Sequence, residues 1–296
     1  MTVITTSEES PKTKHILNER ISTRAFGLTG AARTRIALVG AGGNGSQMVS
    51  CLVRMDRALR VLGLPPLSVT LYDPDTVSAS NVARQLFYPD DVGHSKAVVL
   101  IHRANVGFGL NWEAVPALYA PPPDTRDSQD NGGLIDTYRR TAPAHYAAEA
   151  DILITCVDTG RARQDIVSAL WQRADAPAYW LDIGNEDSTG QVWLGEFPRF
   201  LEDCSASGRS RLPCITEAFP SFFDGSVPET GAPSCSLAEA LVSQDLFVND
   251  ICARMAAHLL WTLLRYAEIE HHGYWINLRD GSVRPQPVPA SGSGTK

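Results

Sequence analysis

RIALVGAGGNG, residues 35–45, carries the strongest structural signal in this chain of 296 residues. Apolar, β-favouring residues run directly into a cluster of glycines, and a helical pattern follows over 46–62. This order predicts a buried strand, a tight turn and a helix. Because backbone N–H groups and the helix dipole favour an anion at such a turn, the stretch also predicts phosphate binding.

Outward from this stretch, the chain alternates strand and helix patterns. Strands are predicted over 68–72, 111–118, 151–157, 178–183, 190–196 and 274–278, and helices over 95–105, 134–150, 161–173 and 247–269. Alternation of this kind is typical of βαβ units, which require a parallel sheet. The predicted fold class is α/β: a doubly wound, mainly parallel Rossmann-like sheet with an irregular crossover or lid insertion.

Two of the predicted strands end at acidic residues. Asp73 follows strand 68–72, and Asp158 follows strand 151–157. Open parallel sheets bind ligands outside the carboxyl ends of their strands, so both carboxylates are expected to face the crevice beside the glycine turn. Their convergence predicts a ligand site there.

The composition of the chain indicates which kinds of partner and which cellular location to expect. The chain is 44% hydrophobic and 20% charged, with a net charge of −7 and pI ≈ 5.5. An acidic surface disfavours nucleic acid. The apolar stretch 251–266 is interrupted by charges and is too short to span a bilayer, and the polar N-terminus lacks the apolar core of a secretory signal. Together with the six cysteines, which we interpret as reduced thiols, these features predict a cytoplasmic protein.

Three parts of the chain are expected. Residues 1–30 are predicted to form an N-terminal tail and arm, residues 31–284 the main domain, and residues 285–296 a flexible tail. Within the domain, the Pro- and Gly-rich stretch 198–233 is predicted to be the lid or crossover. His271 and His272 have no ligand-like spacing and are interpreted as an exposed loop.

A motif after the second strand is more specific than the glycine turn. YDPDTVSASNVARQ at 72–85 and DVGHSKA at 91–97 resemble the D-x-D-x-V-x-x-S-N-x-x-R-Q…G-x-x-K pattern of the ThiF/MoeB and ubiquitin-activating-enzyme superfamily. Further matches occur at 156–158, at Arg163 and at 190–192. The segment QDLFVN at 244–249, after SCS at 234–236, is most similar to ThiF-family proteins of the plasmid-associated PRTRC system.

This resemblance implies ATP- and Mg²⁺-dependent adenylation of a carboxylate, by an adenylyltransferase that acts on the C-terminal glycine of a ubiquitin-like protein. Arg84 and Lys96 would stabilise negative charge that develops on the phosphoryl oxygens. Asp158 would hold Mg²⁺. Cys235 would be the catalytic thiol if the acyl group moves on to a thioester, although a small buried side chain is an equal interpretation.

The same resemblance implies a nucleotide-binding set. Asp73 would accept hydrogen bonds from the ribose, Asn81 and Gln85 would orient phosphates or Mg²⁺, and Asp75 would support the loop. The full set is Gly40, Gly42, Gly43, Asn44, Gly45, Asp73, Asp75, Asn81, Gln85 and Lys96.

Parts of the family pattern are absent. Many relatives carry two Cys-x-x-Cys pairs that hold zinc, and this chain has none. A zinc site from Cys204, Cys214, Cys235 and Cys252 would lack the usual spacing, and Cys204 and Cys214 are rival acceptors for an acyl group. Arg20 or Arg24 would be the arginine that reaches a partner's ATP site in a homodimer, or either is surface charge.

Three alternatives stay open at this point. An NAD(P)-dependent oxidoreductase would use the glycine turn and Asp73, but it leaves Asn81, Arg84 and Lys96 without a role. A relative that activates a carboxylate on a modified tRNA keeps the chemistry and changes the substrate. A non-catalytic scaffold would not need the cationic residues.

Overall fold

The computed structural model describes residues 13–17, 33–119, 150–171, 176–197, 211–220 and 244–289. Its strands are β1 (His15–Ile16), β2 (Thr34–Val39), β3 (Leu67–Tyr72), β4 (Glu113–Val115), β5 (Ile152–Thr155), β6 (Tyr179–Asn185), β7 (Thr189–Glu196), β8 (Glu268–Ile269), β9 (His271–Asn277) and β10 (Ser282–Pro287). Its α-helices are α1 (Gly43–Val61), α2 (Lys96–Phe108), α3 (Gly160–Leu170), α4 (Ile215–Ala218) and α5 (Val248–Tyr266).

A mixed sheet of eight strands organises these elements, in the order β10-β9-β7-β6-β5-β2-β3-β4. The pairings from β4 through to β6 are parallel, and those of β7, β9 and β10 are antiparallel. The order reverses between β2 and β5, which is where doubly wound folds bind ligands. The predicted α/β class is therefore confirmed, with an antiparallel extension on one side.

Helices cover both faces of the sheet because the strand side chains alternate. Ile36 and Leu38 of β2 pack in the cluster that contains apolar residues of α1, α2 and α5. Ala37 and Val39 face the other way, into a cluster with α3. Strands buried on both faces explain the continuous apolar runs in the sequence.

The C-terminal region corrects three predictions. The helix predicted to reach Ile269 ends at Tyr266, because Ala267 adopts a left-handed conformation with φ of 57°. His271 and His272 are not an exposed loop: both lie in β9, and His272 is 1% exposed. β10 extends through Pro285 to Pro287 and so includes residues of the predicted tail. An edge strand tolerates proline, because the backbone N–H that proline lacks can be one that would have faced solvent rather than the neighbouring strand.

Residues 13–17 of the predicted N-terminal arm belong to the described part of the chain. β1 pairs with β8 in an antiparallel ladder, and Leu17 is buried. Most of the predicted lid and the predicted helix 134–150 lie outside the described residues. Within the described residues, no helix has the length and apolar character required for a membrane span.

Candidate active site

The glycine turn sits at the carboxyl end of β2. Gly40 has a φ of 95°, a conformation that favours glycine, and its N–H donates to the Tyr72 carbonyl at 2.9 Å. A β-carbon at Gly40 would lie 2.6 Å from the carbonyl oxygen of Cys156. By contrast, Gly42 faces open space just before α1 begins. The turn is thus closed against Cys156 at Gly40 and open at Gly42.

Asp73 ties this turn to the end of β3. Its Oδ2 accepts the Ala41 N–H at 2.6 Å, and its Oδ1 accepts the Asp75 N–H at 2.8 Å. The side chain is buried, and burial raises the pKa of Asp73 while the two backbone donors oppose that rise. The carboxylate holds the loop in place and keeps further acceptor directions for a ligand.

Lys96 lies beside Asp75 at the start of α2. Its Nζ is 2.9 Å from Asp75 Oδ2, and its backbone N–H donates to the Asp75 carbonyl at 3.0 Å. Lys96 is 8% exposed, whereas the Asp75 side chain is 64% exposed. Asp75 therefore orients the lysine, in keeping with a supporting position in the loop.

The loop after β3 brings the remaining predicted residues towards α1. Asn81 Oδ1 accepts the Ser78 N–H at 2.9 Å, so this oxygen shapes the loop. Ala83 has a φ of 72°, a left-handed conformation that costs a non-glycine residue about 1 kcal/mol. The Leu86 N–H then donates to Ser46 Oγ of α1 at 3.2 Å. Strain at Ala83 marks the turn that presents Arg84 and Gln85.

Three buried polar atoms near the turn have no hydrogen-bond partner among the described residues. They are Asn44 Oδ1, Arg84 Nε and Gln85 Oε1. Leaving a buried polar atom unpaired costs about 1–3 kcal/mol, so each of these atoms is suited to pair with ordered water, an ion or a ligand. One guanidinium donor and two oxygen acceptors beside a helix N-terminus suit a phosphate with its counter-ion. The residues present therefore fit a nucleotide and Mg²⁺.

Asp158 reaches the same edge of the sheet from β5. The Cys156 N–H donates to the Val39 carbonyl at 2.8 Å, which continues the parallel pairing of β5 with β2. Two residues later Asp158 is exposed, immediately before Thr159 caps α3 by accepting the Ala162 N–H. The backbone thus places Asp158 two residues after Cys156, whose carbonyl lies against Gly40 of the turn.

Arg163, which belongs to the family pattern, points into the protein. Its Nε donates to Asp182 Oδ1 at 2.7 Å, and both side chains are buried. Thr155 Oγ1 donates to the same oxygen at 2.6 Å. Arg163 therefore pairs with a carboxylate of β6 behind the site, a partner that the sequence pattern does not identify.

Further residues near the glycine turn were not predicted as site residues from the sequence. Gln244 Oε1 accepts hydrogen bonds from Arg84 Nη1 at 2.8 Å and from Asn249 Nδ2 at 3.2 Å. Asn44 Nδ2 donates to Asn185 Oδ1 at 2.7 Å. Gln244 and Asn249 lie in the segment that carries the branch resemblance, but nothing local links them to the glycine turn.

The described cysteines are poor nucleophiles. Burial raises the pKa of Cys51, Cys156, Cys214 and Cys252, that of Cys252 to about 12. No cluster of three His, Cys, Asp or Glu side chains suited to a metal occurs in the described part of the chain. Outside that part lie Cys204, Cys235, Arg20 and Arg24.

A separate cavity of about 230 Å³ opens between α5, β8 and β9. His258, Glu270 and Tyr274 are among its lining residues, and none of the predicted site residues lines it. The candidate active site is therefore the polar cluster around the glycine turn.

Comparison with known proteins agrees with this architecture. The ThiF family matches residues 18–283. No curated protein sequence matches the chain.

Solved structures share the fold. The crystal structure of PaaA aligns with a TM-score of 0.52 at 15% identity, over 88% of this chain and 65% of PaaA. Escherichia coli MccB with ATP aligns with a TM-score of 0.50 at 17% identity, over 90% of this chain and 67% of MccB. MccB with MccA gives 0.51 at 16% identity with the same coverage. The chain thus spans about two thirds of the length of these proteins, from 65% to 67%.

Proposed function

Because this chain belongs to the ThiF family, we propose that it is an adenylyltransferase that activates a carboxylate with ATP. A carboxylate oxygen attacks the α-phosphorus, the bond to the departing pyrophosphate breaks, and an acyl adenylate remains. Family membership supports this chemistry in general terms. So does the shared fold with MccB, which has been crystallised with ATP.

One observation carries the proposal: Arg84 Nε and Gln85 Oε1 are buried without partners among the described residues, beside an open glycine turn. In the proposed mechanism the turn binds phosphate through backbone N–H groups, and Asp73 accepts hydrogen bonds from the ribose. Arg84 and Lys96 stabilise the charge that develops on the phosphoryl oxygens. Asp158 would hold Mg²⁺, which would supply further positive charge to the phosphate groups.

The finer parts of the proposal rest on the sequence motifs. The carboxylate is the C-terminal glycine of a ubiquitin-like protein, the chain belongs to the PRTRC branch, and it works as a homodimer in the cytoplasm. MccB, which shares this fold, has also been crystallised with MccA, so binding of a further partner beside the nucleotide site is compatible with the fold. In a following step, the Cys235 thiolate would attack the acyl carbon and release AMP; the raised pKa values of the described cysteines favour a thiol elsewhere.

Pyrophosphate–ATP exchange tests the reaction. Wild-type chain with a ubiquitin-like partner that ends in glycine is expected to exchange label, and Lys96→Ala and Asp158→Ala are each expected to lower the rate by about 100-fold or more, as loss of a charge-stabilising group does. Cys235→Ala should keep exchange, because exchange requires only the adenylate.

Matched controls are available on the surface. Lys14→Ala removes a lysine whose partner is Glu268, and Asp165→Ala removes an exposed acid of α3. Both are expected to keep wild-type exchange. Exchange that survives Lys96→Ala and Asp158→Ala would refute the site assignment, and turnover of NADH without exchange would favour the oxidoreductase instead.

A further inference from the structure

Gln244 lies in the turn immediately before α5, and its side chain makes hydrogen bonds to three residues. Its Oε1 accepts from Arg84 Nη1 at 2.8 Å and from Asn249 Nδ2 at 3.2 Å. Its Nε2 donates to the Glu186 carbonyl at 3.4 Å. The amide oxygen therefore has a defined position relative to the glycine turn, since Asn249 packs directly against Gly43.

The contact with Gln244 uses one particular part of the arginine. A guanidinium binds an oxyanion most strongly side-on, through the edge formed by Nε and Nη2. Gln244 engages Nη1, which does not belong to that edge, and Arg84 Nε is buried with no partner among the described residues. The glutamine thus fixes the plane of the guanidinium while leaving its bidentate edge for an anion.

We infer that Gln244 is a positioning residue for the nucleotide site, which acts on a phosphate group only through Arg84. This inference rests on the proposed function and extends it to a residue 160 positions away in the chain. It also means that the turn before α5 takes part in nucleotide binding without touching the nucleotide. Because a hydrogen bond to a charged group is involved, its loss is expected to cost about tenfold in affinity.

A double-mutant cycle tests the inference. Binding of ATP with Mg²⁺ to the full chain would be measured by calorimetry for wild type, Gln244→Met, Arg84→Ala and the double variant. Gln244→Met, which keeps the side-chain volume, is expected to weaken ATP binding about tenfold in the wild-type background. In the Arg84→Ala background the same substitution is expected to have no effect.

Control measurements separate positioning from general damage. Leu246→Ala alters an exposed residue of the same segment and is expected to bind ATP as wild type does. Thermal unfolding checks each variant, and Gln244→Ala replaces Gln244→Met if the latter does not fold. Unchanged affinity in Gln244→Met, or an equal loss in both backgrounds, would overturn the inference alone. A wild-type chain that does not bind ATP would overturn the proposed function together with it.

Discussion

Gly43 illustrates how individual residues limit what the site tolerates. A β-carbon at this position would overlap the side-chain amide of Asn249, which is 4% exposed. Gly43→Ala is therefore expected to lower the free energy of unfolding by about 1–3 kcal/mol, as overpacking does. Urea denaturation followed by tryptophan fluorescence would measure the change.

Gly42 supplies the matched control for that substitution. An added β-carbon there would meet nothing within 4 Å. Gly42→Ala is therefore expected to lower the free energy of unfolding by less than Gly43→Ala does, because it disturbs no packed side chain. Equal effects at the two glycines would contradict the packing of Asn249 on the turn.

In β9, burial shifts the pKa of a histidine, a change that the sequence of the strand does not predict. The strand buries His272, whose Nδ1 donates to the Leu194 carbonyl at 2.9 Å and whose ring lies 4.5 Å from that of Trp193. Burial lowers the pKa of His272 from an ordinary value of 6.5 to about 4, with a smaller contribution in the same direction from His15 and an opposing one from the hydrogen bond to Leu194. The folded protein therefore holds this histidine neutral over a range in which the unfolded chain binds a proton.

The sign of the pH dependence follows from this difference. Between pH 6.5 and 4 the unfolded state binds more protons, so the free energy of unfolding falls as the pH falls. The contribution of His272 to this fall reaches about 3 kcal/mol. Urea denaturation at pH 7 and at pH 4.5 is expected to show a smaller difference for His272→Leu than for wild type. His258→Gln, at an exposed histidine of α5, should keep the wild-type difference.

On the scale of the whole molecule, α5 joins the two parts of the sheet. It packs against α1 and against β6, β7 and β9, so it contacts both parallel and antiparallel strands. Leu260 is completely buried in this helix. Leu260→Ala is expected to lower the free energy of unfolding by about 2–5 kcal/mol, because it leaves a cavity at this junction.

Chemical denaturation would measure that loss, with Val61→Ala as its control. Val61 ends α1 and is 84% exposed, so its truncation is expected to cost no more than about 0.5 kcal/mol. A loss at Leu260 as small as that at Val61 would mean that α5 is not a central packing element.

Local patterns were sufficient for the framework and for part of the candidate site. The apolar run that ends at Gly40 forms β2, the glycines form the turn, and Asp73 and Asp158 follow β3 and β5, the two strands that flank β2. These features depend on side-chain periodicity and on residues adjacent in the chain. The same motif places Asp75 in the loop after β3 and Lys96 at the start of a helix.

Contacts between distant segments required the tertiary structure. Arg84 pairs with Gln244 and Arg163 with Asp182, and an arginine motif alone does not tell which of them faces a ligand. The burial of His272 and the inclusion of Pro285 in β10 likewise depend on neighbouring strands. The sequence by itself determined the order of the strands and helices and the edge of the sheet at which the candidate site lies, since both depend on residues close together in the chain. Only folding decided the partners of each charge, because those partners come from elements far apart in the chain.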